Sequence, residues 1–350
     1  MGKFIGFTKI GQYRQVIGDV KHTAQFKGMD DDGNMIMDRT ATLPTLPFKS
    51  TVKLHGTNAG VAMGNDGDMW YQSRKGIITP TKDNAGFAFF ADSHKDVFWN
   101  MITEIRKKEN IHNDDIVVFG EWCGGNIQKG VAINGLDKMF VIFAVKVAPL
   151  DDDIPNYYLH EDIWKDYSYP EHNIFNINDY ETNIIDIDFN HPDLSRNVMI
   201  DIMTEVEKEC PVGKAFGRKL GEDDTTGEGN VWCGWYNGTR LIFKIKGEKH
   251  SVSKVKTLAP VDIEKLNSIT SFVDYAVTVN RLNQGIEQVF TTESKTPDMN
   301  STGDFLRWIV NDITSEEMDT MVENKLEPKD VNKAISVFAR KWYFNFLEDN

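Results

Sequence analysis

Cations are in short supply in this chain. Its 350 residues carry 39 Lys and Arg against 53 Asp and Glu, a formal net charge of -14. Such an excess sets solubility and encounter rates, while binding depends on where the charges sit. Cysteine is scarcer: Cys123, Cys210 and Cys233 form an odd set without metal-ligand spacing. That argues against a disulfide framework and a zinc site, and fits a reducing compartment. No apolar run approaches the ~18 residues of a membrane span. The stretch from Met1 to Gln15 lacks the apolar core and cleavage site of a signal peptide, so a cytoplasmic location is expected. No Gly-x-Gly-x-x-Gly follows a strand pattern, and neither a Walker-type phosphate loop nor His-Glu-x-x-His occurs, so Rossmann, P-loop and zinc-peptidase chemistry lack a signature. Internal repeats and low-complexity tracts are also missing.

What is present is the composition of an ordinary globular protein, 40% hydrophobic and 26% charged, long enough for two domains of ~150 residues. The first 250 residues read mainly as strands and tight turns. Asp32-Gly33-Asn34 lies between Phe26 and Met35-Ile36-Met37, and Asp66-Gly67 lies between Gly60-Val61-Ala62-Met63 and Met69-Trp70-Tyr71; both are hairpin signals. The run Asp30-Asp31-Asp32 before Gly33 lacks the terminal Glu of a calcium loop and reads as a turn. Ile116–Phe119 and Met139–Val145 read as buried strands, and Leu241–Lys246 as a strand with one face in a site.

After about residue 258 the period changes to that of helices. Ile263, Leu266, Ile269, Phe272, Val273 and Ala276 share one face, and a second helix starting near Ser301-Thr302 buries Phe305, Leu306, Ile309 and Val310. Thr314 with Glu317 forms a capping-box pattern for a third. Pro328 suits the first turn of a fourth, with Val331, Ala334, Ile335, Phe338 and Trp342 on its core face. The fold expected is α+β: antiparallel sheets with flanking helices over residues 1–255, then an all-helical C-terminal domain over residues 256–350.

Charge is unevenly spread. Between Asp151 and Asp188 Lys165 is the only basic side chain, which reads as a solvated acidic surface. Lys244, Lys246, Lys249, Lys254 and Lys256 face a single acid, Glu248. Lys244 and Lys246, two apart on a strand, share a face and can both reach phosphate oxygens.

The segment Phe48-Lys49-Ser50-Thr51-Val52-Lys53-Leu54-His55-Gly56-Thr57-Asn58 ends an apolar strand on a lysine and follows it with a glycine that allows a sharp turn. Lys-x-x-Gly alone is common. Here it is followed in order by Phe119-Gly120-Glu121, Phe140-Val141-Ile142-Phe143, Glu228-Gly229-Asn230-Val231 and Lys244-Ile245-Lys246. This ordered set, spanning residues 48 to 250, resembles the nucleotidyltransferase motifs of the covalent ligase and mRNA-capping superfamily. Lys-Leu-His-Gly-Thr-Asn, and Gly124-Gly125-Asn126-Ile127-Gln128-Lys129-Gly130 after Glu121, are similar to the RNA ligase 2 group.

The resemblance implies an ATP-grasp-like nucleotidyltransferase domain and an ATP-dependent RNA ligase acting in repair or nick sealing. Lys53 would take AMP as a phosphoramidate, Glu121 would contact the ribose, and Phe143 would stack on adenine. Glu228 would hold magnesium or manganese, hard cations that prefer oxygen ligands. Lys244 and Lys246 would offset charge in phosphoryl transfer and disfavour a protonated Lys53. Arg74 would grip a phosphate, and His55 and Asn58 would act near the metal and the RNA ends. A turn-stabilising role for His55 and Asn58, and a core role for Phe143, stay open. Two positions depart from the group: Val52 stands before the nucleophile and Ala144 after Phe143, where acids are frequent. The partner expected is RNA, with no membrane, and the chain is expected to be a monomer. A DNA ligase, a capping enzyme and a non-catalytic RNA-binding repair subunit are the rival readings.

Overall fold

The computed structural model describes residues 2–38, 40–83, 85–125, 127, 130–218, 225–246, 265–291 and 295–349. By its internal contacts the chain divides into two compact units, Met1–Gly247 and Glu248–Asn350. Lys249, Lys254 and Lys256, the distal part of the basic run, lie outside the described residues, as do Asn126, Gln128, Lys129 and Ile263.

The first unit begins with helix α1 (Tyr13–Gln25), strands β1 (Phe26–Met29) and β2 (Met35–Met37), then β3 (Thr45–Val52), β4 (Thr57–Met63), β5 (Met69–Ser73) and β6 (Ile77–Ile78). Helices α2 (Phe87–Ser93) and α3 (Lys95–Glu109) lead into β7 (Asp115–Cys123), β8 (Met139–Ala148), β9 (Tyr157–Tyr158), β10 (Ile174–Asn176) and β11 (Asn183–Asp188). Helices α4 (Arg196–Lys208) and α5 (Pro211–Ala215) precede the hairpin β12 (Gly229–Tyr236) and β13 (Thr239–Lys246).

Both expected hairpins form, β1 with β2 and β4 with β5, each antiparallel. The helices inserted among the strands are what the strand-dominated reading passed over. α3 earns its place by periodicity: Phe98, Met101, Ile102 and Ile105 recur on one face and are all buried. A central sheet runs β10-β8-β7-β4-β5-β6, with β9 also on β8; a second runs β11-β3-β12-β13. Among the described strands, pairing is antiparallel except for β10, which lies parallel to β8.

Strand alternation gives the central sheet two apolar faces. Val61, Ile116, Val118 and Val145 pack with Phe87, Phe98 and Ile102 of α2 and α3. Ala62, Val117, Phe119 and Ala144 face the other way, toward Ile5, Phe7 and, from the second sheet, Ile242. The second sheet turns its far face, Phe48, Trp232, Leu241 and Phe243, to Val16 and Val20 of α1 and Met199 of α4. The two sheets therefore face each other across a cleft, with helices outside.

The second unit holds α6 (Lys265–Ala276), α7 (Val279–Ile286), α8 (Thr302–Glu316), α9 (Met318–Glu323) and α10 (Pro328–Asp349). Phe272, Ala276, Phe305, Ile309 and Ile313 form its core with one row of α10, Val331, Ile335, Ala339 and Tyr343. Two expectations are corrected. Thr314 does not open a helix: its hydroxyl donates to the Val310 carbonyl one turn back, inside α8, and the next helix starts after Glu317. Phe338 is exposed, because the buried row advances by strict fours from Val331 and leaves it on the outer side.

Candidate active site

The site grows from the end of β3. Its pairing with β12 matches Val52 to Asn230, and one further bond, from the Lys53 amide to the Gly229 carbonyl (2.8 Å), carries the chain into the cleft beside Glu228. Lys53, the first residue beyond the strand, places its Nζ 2.6 Å from Glu228 Oε2. β13 pairs Lys246 with Gly229, and Lys246 Nζ lies 3.0 Å from Glu228 Oε1. Each oxygen of one buried carboxylate thus faces an amine, and the two amines come from strands on either side of β12. His55 Nδ1 approaches Glu228 Oε2 at 3.3 Å.

The turn after Lys53 is fixed by the neighbouring strand. The Gly56 amide donates to Glu121 Oε1 at 3.0 Å. A β-carbon at Gly56 would collide with the Trp122 carbonyl, so the loop can press onto β7 only with glycine there. Asn58 lies opposite Glu121 in the β4–β7 ladder. Strand pairing therefore brings Lys53, His55, Asn58, Glu121, Glu228 and Lys246 to one end of the cleft. Lys244 lies two residues before Lys246 on β13, close enough for its charge to act on Lys246.

Burial and charge compete here. Burial alone pushes the Glu228 carboxyl up, but Lys53, Lys246 and His55 outweigh it and hold it well below the usual carboxylate range. Glu121 goes the other way. Burial, with the Glu228 charge adding to it, raises its carboxyl to about 7 against the opposing pull of Lys53 and His55. Burial pushes the Lys246 amine down, with Lys53 and Lys244 adding to the effect and Glu228 opposing it. The lysines are still reachable: Lys53 is 19% and Lys246 20% exposed, while Glu228 is 3% exposed. Two carboxyls of unequal acidity beside clustered amines suit a ligand that brings both negative oxygens and a cation.

Two expected residues sit further along the central sheet. Pairing of β7 with β8 jumps from Phe119–Ala144 to Gly120–Ile142, so Phe143 is the extra residue of a bulge. It is the least buried position of its strand. Phe7 meets it edge-on at 5.1 Å. Arg74 Nη1 donates to the Phe7 carbonyl at 3.2 Å. Of the two departures, Val52 is buried in the core beneath the cleft and Ala144 packs in the cluster containing Phe7.

Sequence reasoning passed over Lys49 and Lys146. Lys49 Nζ donates to Asn178 Oδ1 at 2.6 Å, and Lys146 Nζ donates to the Gly6 carbonyl at 2.9 Å. A lone lysine within the apolar run of β8 was the available signal for the second.

The donor set accommodates a divalent cation of the magnesium type. Such ions are bound through one or two carboxylates and completed by phosphate oxygens and water. Glu228 could supply one such carboxylate, and among the described residues no group of three or more His, Cys, Asp or Glu could hold a metal by itself.

A cleft between two sheets thus holds a strand-end lysine joined to a buried glutamate and a second lysine. The RNA ligase family model matches residues 47–308, well over half of the chain. The chain belongs to the RNA ligase family. Solved structures similar to it include Naegleria gruberi RNA ligase in several forms. A lysine-to-methionine variant with AMP and manganese shows 16% identity and a TM-score of 0.43, over 71% of this chain and 58% of that one. A glutamate-to-alanine variant with ATP and manganese shows 17% identity and a TM-score of 0.41, with the same coverage. The enzyme with pyrophosphate shows 16% identity and 0.41. The chain thus spans 58% of the length of these structures. A search of curated proteins gave no match. No helix among the described residues is long and apolar enough to cross a membrane.

Proposed function

We propose that the chain is an ATP-dependent RNA ligase that joins RNA 3′-OH and 5′-phosphate ends through a lysyl-AMP intermediate on Lys53. One observation carries the reading: Lys53 and Lys246 reach the two oxygens of the same buried carboxylate, Glu228, from different strands. Lys53, held beside Glu228 with Lys246 on the other carboxylate oxygen, would be placed for phosphate chemistry.

In the first step the neutral Lys53 amine attacks the α-phosphorus of ATP. A P–N bond forms as the amine gives up a proton to solvent, the bond to the β-phosphate oxygen breaks, and pyrophosphate leaves. Lys244 and Lys246 offset the charge on the phosphates, Phe143 stacks on adenine, and Glu121 receives the ribose. Arg74 spends one donor on Phe7 and has others for a phosphate. In the second step an oxygen of the RNA 5′-phosphate attacks the same phosphorus and restores the Lys53 amine. In the third the 3′-OH attacks the 5′-phosphate and AMP departs. His55, beside Glu228, and Asn58, opposite Glu121, would act near the metal and the RNA ends. Glu228 would hold the divalent cation, which would supply neutralisation of phosphate charge.

On this reading residues 1–255 act as the adenylyltransferase domain and residues 256–350 engage the RNA, in a cytoplasmic monomer whose natural task is RNA repair. The test is incubation with α-labelled ATP and magnesium, then nicked duplexes that differ in which strand is RNA. The unsubstituted chain should take label from ATP and not from GTP, and should seal RNA nicks in preference to DNA nicks. Lys53→Ala should take none. Label on that variant would show that another residue is the nucleophile.

A further inference from the structure

The segment before α1 is far more firmly held than a tail of irregular backbone needs to be. Gln72, fully buried on β5, exchanges hydrogen bonds with both the amide and the carbonyl of Ile5. Lys146, buried on β8, donates to the Gly6 carbonyl at 2.9 Å and lies over the Tyr158 ring at 5.2 Å. Arg74 takes the Phe7 carbonyl, while Tyr158 accepts from the Thr8 amide at 2.9 Å and donates to the Thr8 hydroxyl at 3.0 Å. At the far end Gly11 forms a parallel bridge with Phe243, and its carbonyl accepts from the Lys244 amide at 3.2 Å. Burying a lysine and a glutamine in a sheet is costly unless their hydrogen bonds are met. Here the partners of both are backbone groups of this segment.

What the segment delivers is one ring. Phe7 lies 5.2 Å from Phe119, 5.1 Å from Phe143 and 5.7 Å from Tyr158, in tilted or edge-on contacts. Phe143 is the bulge residue and lacks the full burial that fixes the rest of its strand. A side chain at a bulge needs support from outside the ladder to hold one orientation. We infer that Phe7 is a positioning residue for nucleotide binding: its edge holds the Phe143 ring so that the open face meets the base, and the strap from Ile5 to Gly11 ties that ring to the strand bearing Lys244. This rests on the reading of Phe143 as the adenine-stacking residue.

The experiment is adduct formation by the full chain across a range of ATP concentrations, for Phe7→Ala, Phe7→Leu and the control Phe98→Leu. Phe98 is a fully buried ring edge-on to Phe140, on the opposite face of the central sheet. An edge-to-face pair contributes about 0.5–1.5 kcal/mol, so Phe7→Ala should raise the KM for ATP roughly threefold to tenfold with little change in the saturating rate. Phe7→Leu, which keeps apolar bulk, should show a smaller rise and gives the readout if the alanine variant does not fold. Phe98→Leu should leave the KM unchanged. An unchanged KM in both Phe7 variants, or an equal rise in Phe98→Leu, overturns the inference while the ligase reading stands. No adduct in the unsubstituted chain overturns both.

Discussion

Glu228 in the first unit and Glu317 in the second are both buried carboxylates facing cations, and their surroundings are finished differently. Glu317 has both its oxygens met by donors. Arg281, 1% exposed, donates to it at 3.1 Å and to the Ala276 carbonyl at 2.8 Å; Tyr275 and Thr320 donate to its other oxygen. The approach of Arg281 Nε to Asp312 at 3.0 Å is an ion pair of poor hydrogen-bond geometry. Helices α6 to α9 are joined by this network. Around Glu228 the amines are a fifth exposed, a second carboxyl is poised near neutrality, and cations gather faster than anions. The Glu317 carboxylate is closed in by its own donors, whereas the Glu228 cluster keeps its amines within reach of solvent.

That contrast can be broken most sharply at its centres. Glu228→Ala should slow adduct formation by about 10²–10³-fold, the scale of losing a main electrostatic group, as read with labelled ATP. Arg281→Ala should destabilise the chain by about 3–5 kcal/mol, because it strands the buried Glu317 carboxylate, and urea unfolding measures this. Adduct formation from ATP alone should survive that change wherever the chain stays folded. If Arg281→Ala is nearly neutral, the second cluster is not the closed network described above.

The carboxyl of Glu121 offers a finer comparison. Its folded value of about 7 lies above the ordinary 4.5, so the folded state holds the proton more tightly. Its contribution to stability is full below about pH 4.5 and is lost as pH rises through about 7, an effect of roughly 3 kcal/mol. Glu228, held low, has the opposite sign, contributing above the ordinary range and losing it as pH falls. Urea unfolding between about pH 5 and about pH 8 should show the Glu121 slope, and Glu121→Gln should remove it. The smallest effect belongs to the cap of α7, where the Thr278 hydroxyl accepts from the Arg281 amide at 3.3 Å. Thr278→Ala should cost about 1 kcal/mol in the same assay.

Much of the site could be read before any fold was known, because its residues fall in ordered segments whose chemistry is specific. Lys53 and Glu228 are 175 positions apart in sequence and 2.6 Å apart in the fold. Hairpins with Asp-Gly turns were equally legible, since the signal and the structure are both local. What stayed hidden depended on distant partners. Nothing near Phe7 or Lys146 in sequence says that they serve one another's segments, and Thr314 with Glu317 satisfied a local pattern while the apolar face of α8 ran on through Ile313.

The β12–β13 hairpin turns on Asn237 and Gly238, with φ of 47° and 74°, closing a two-residue loop between Tyr236 and Thr239. Seven pairs down the ladder, roughly 24 Å away, stands the Gly229–Lys246 rung. That remote loop is the gauge by which the Lys246 end of the hairpin is measured. One residue added to it would slide β13 by a single step and turn Lys244 and Lys246 toward α1, delivering Ile245 to the cleft in their place. Length variation should thus be forbidden at a solvent-facing tip where chains ordinarily tolerate it.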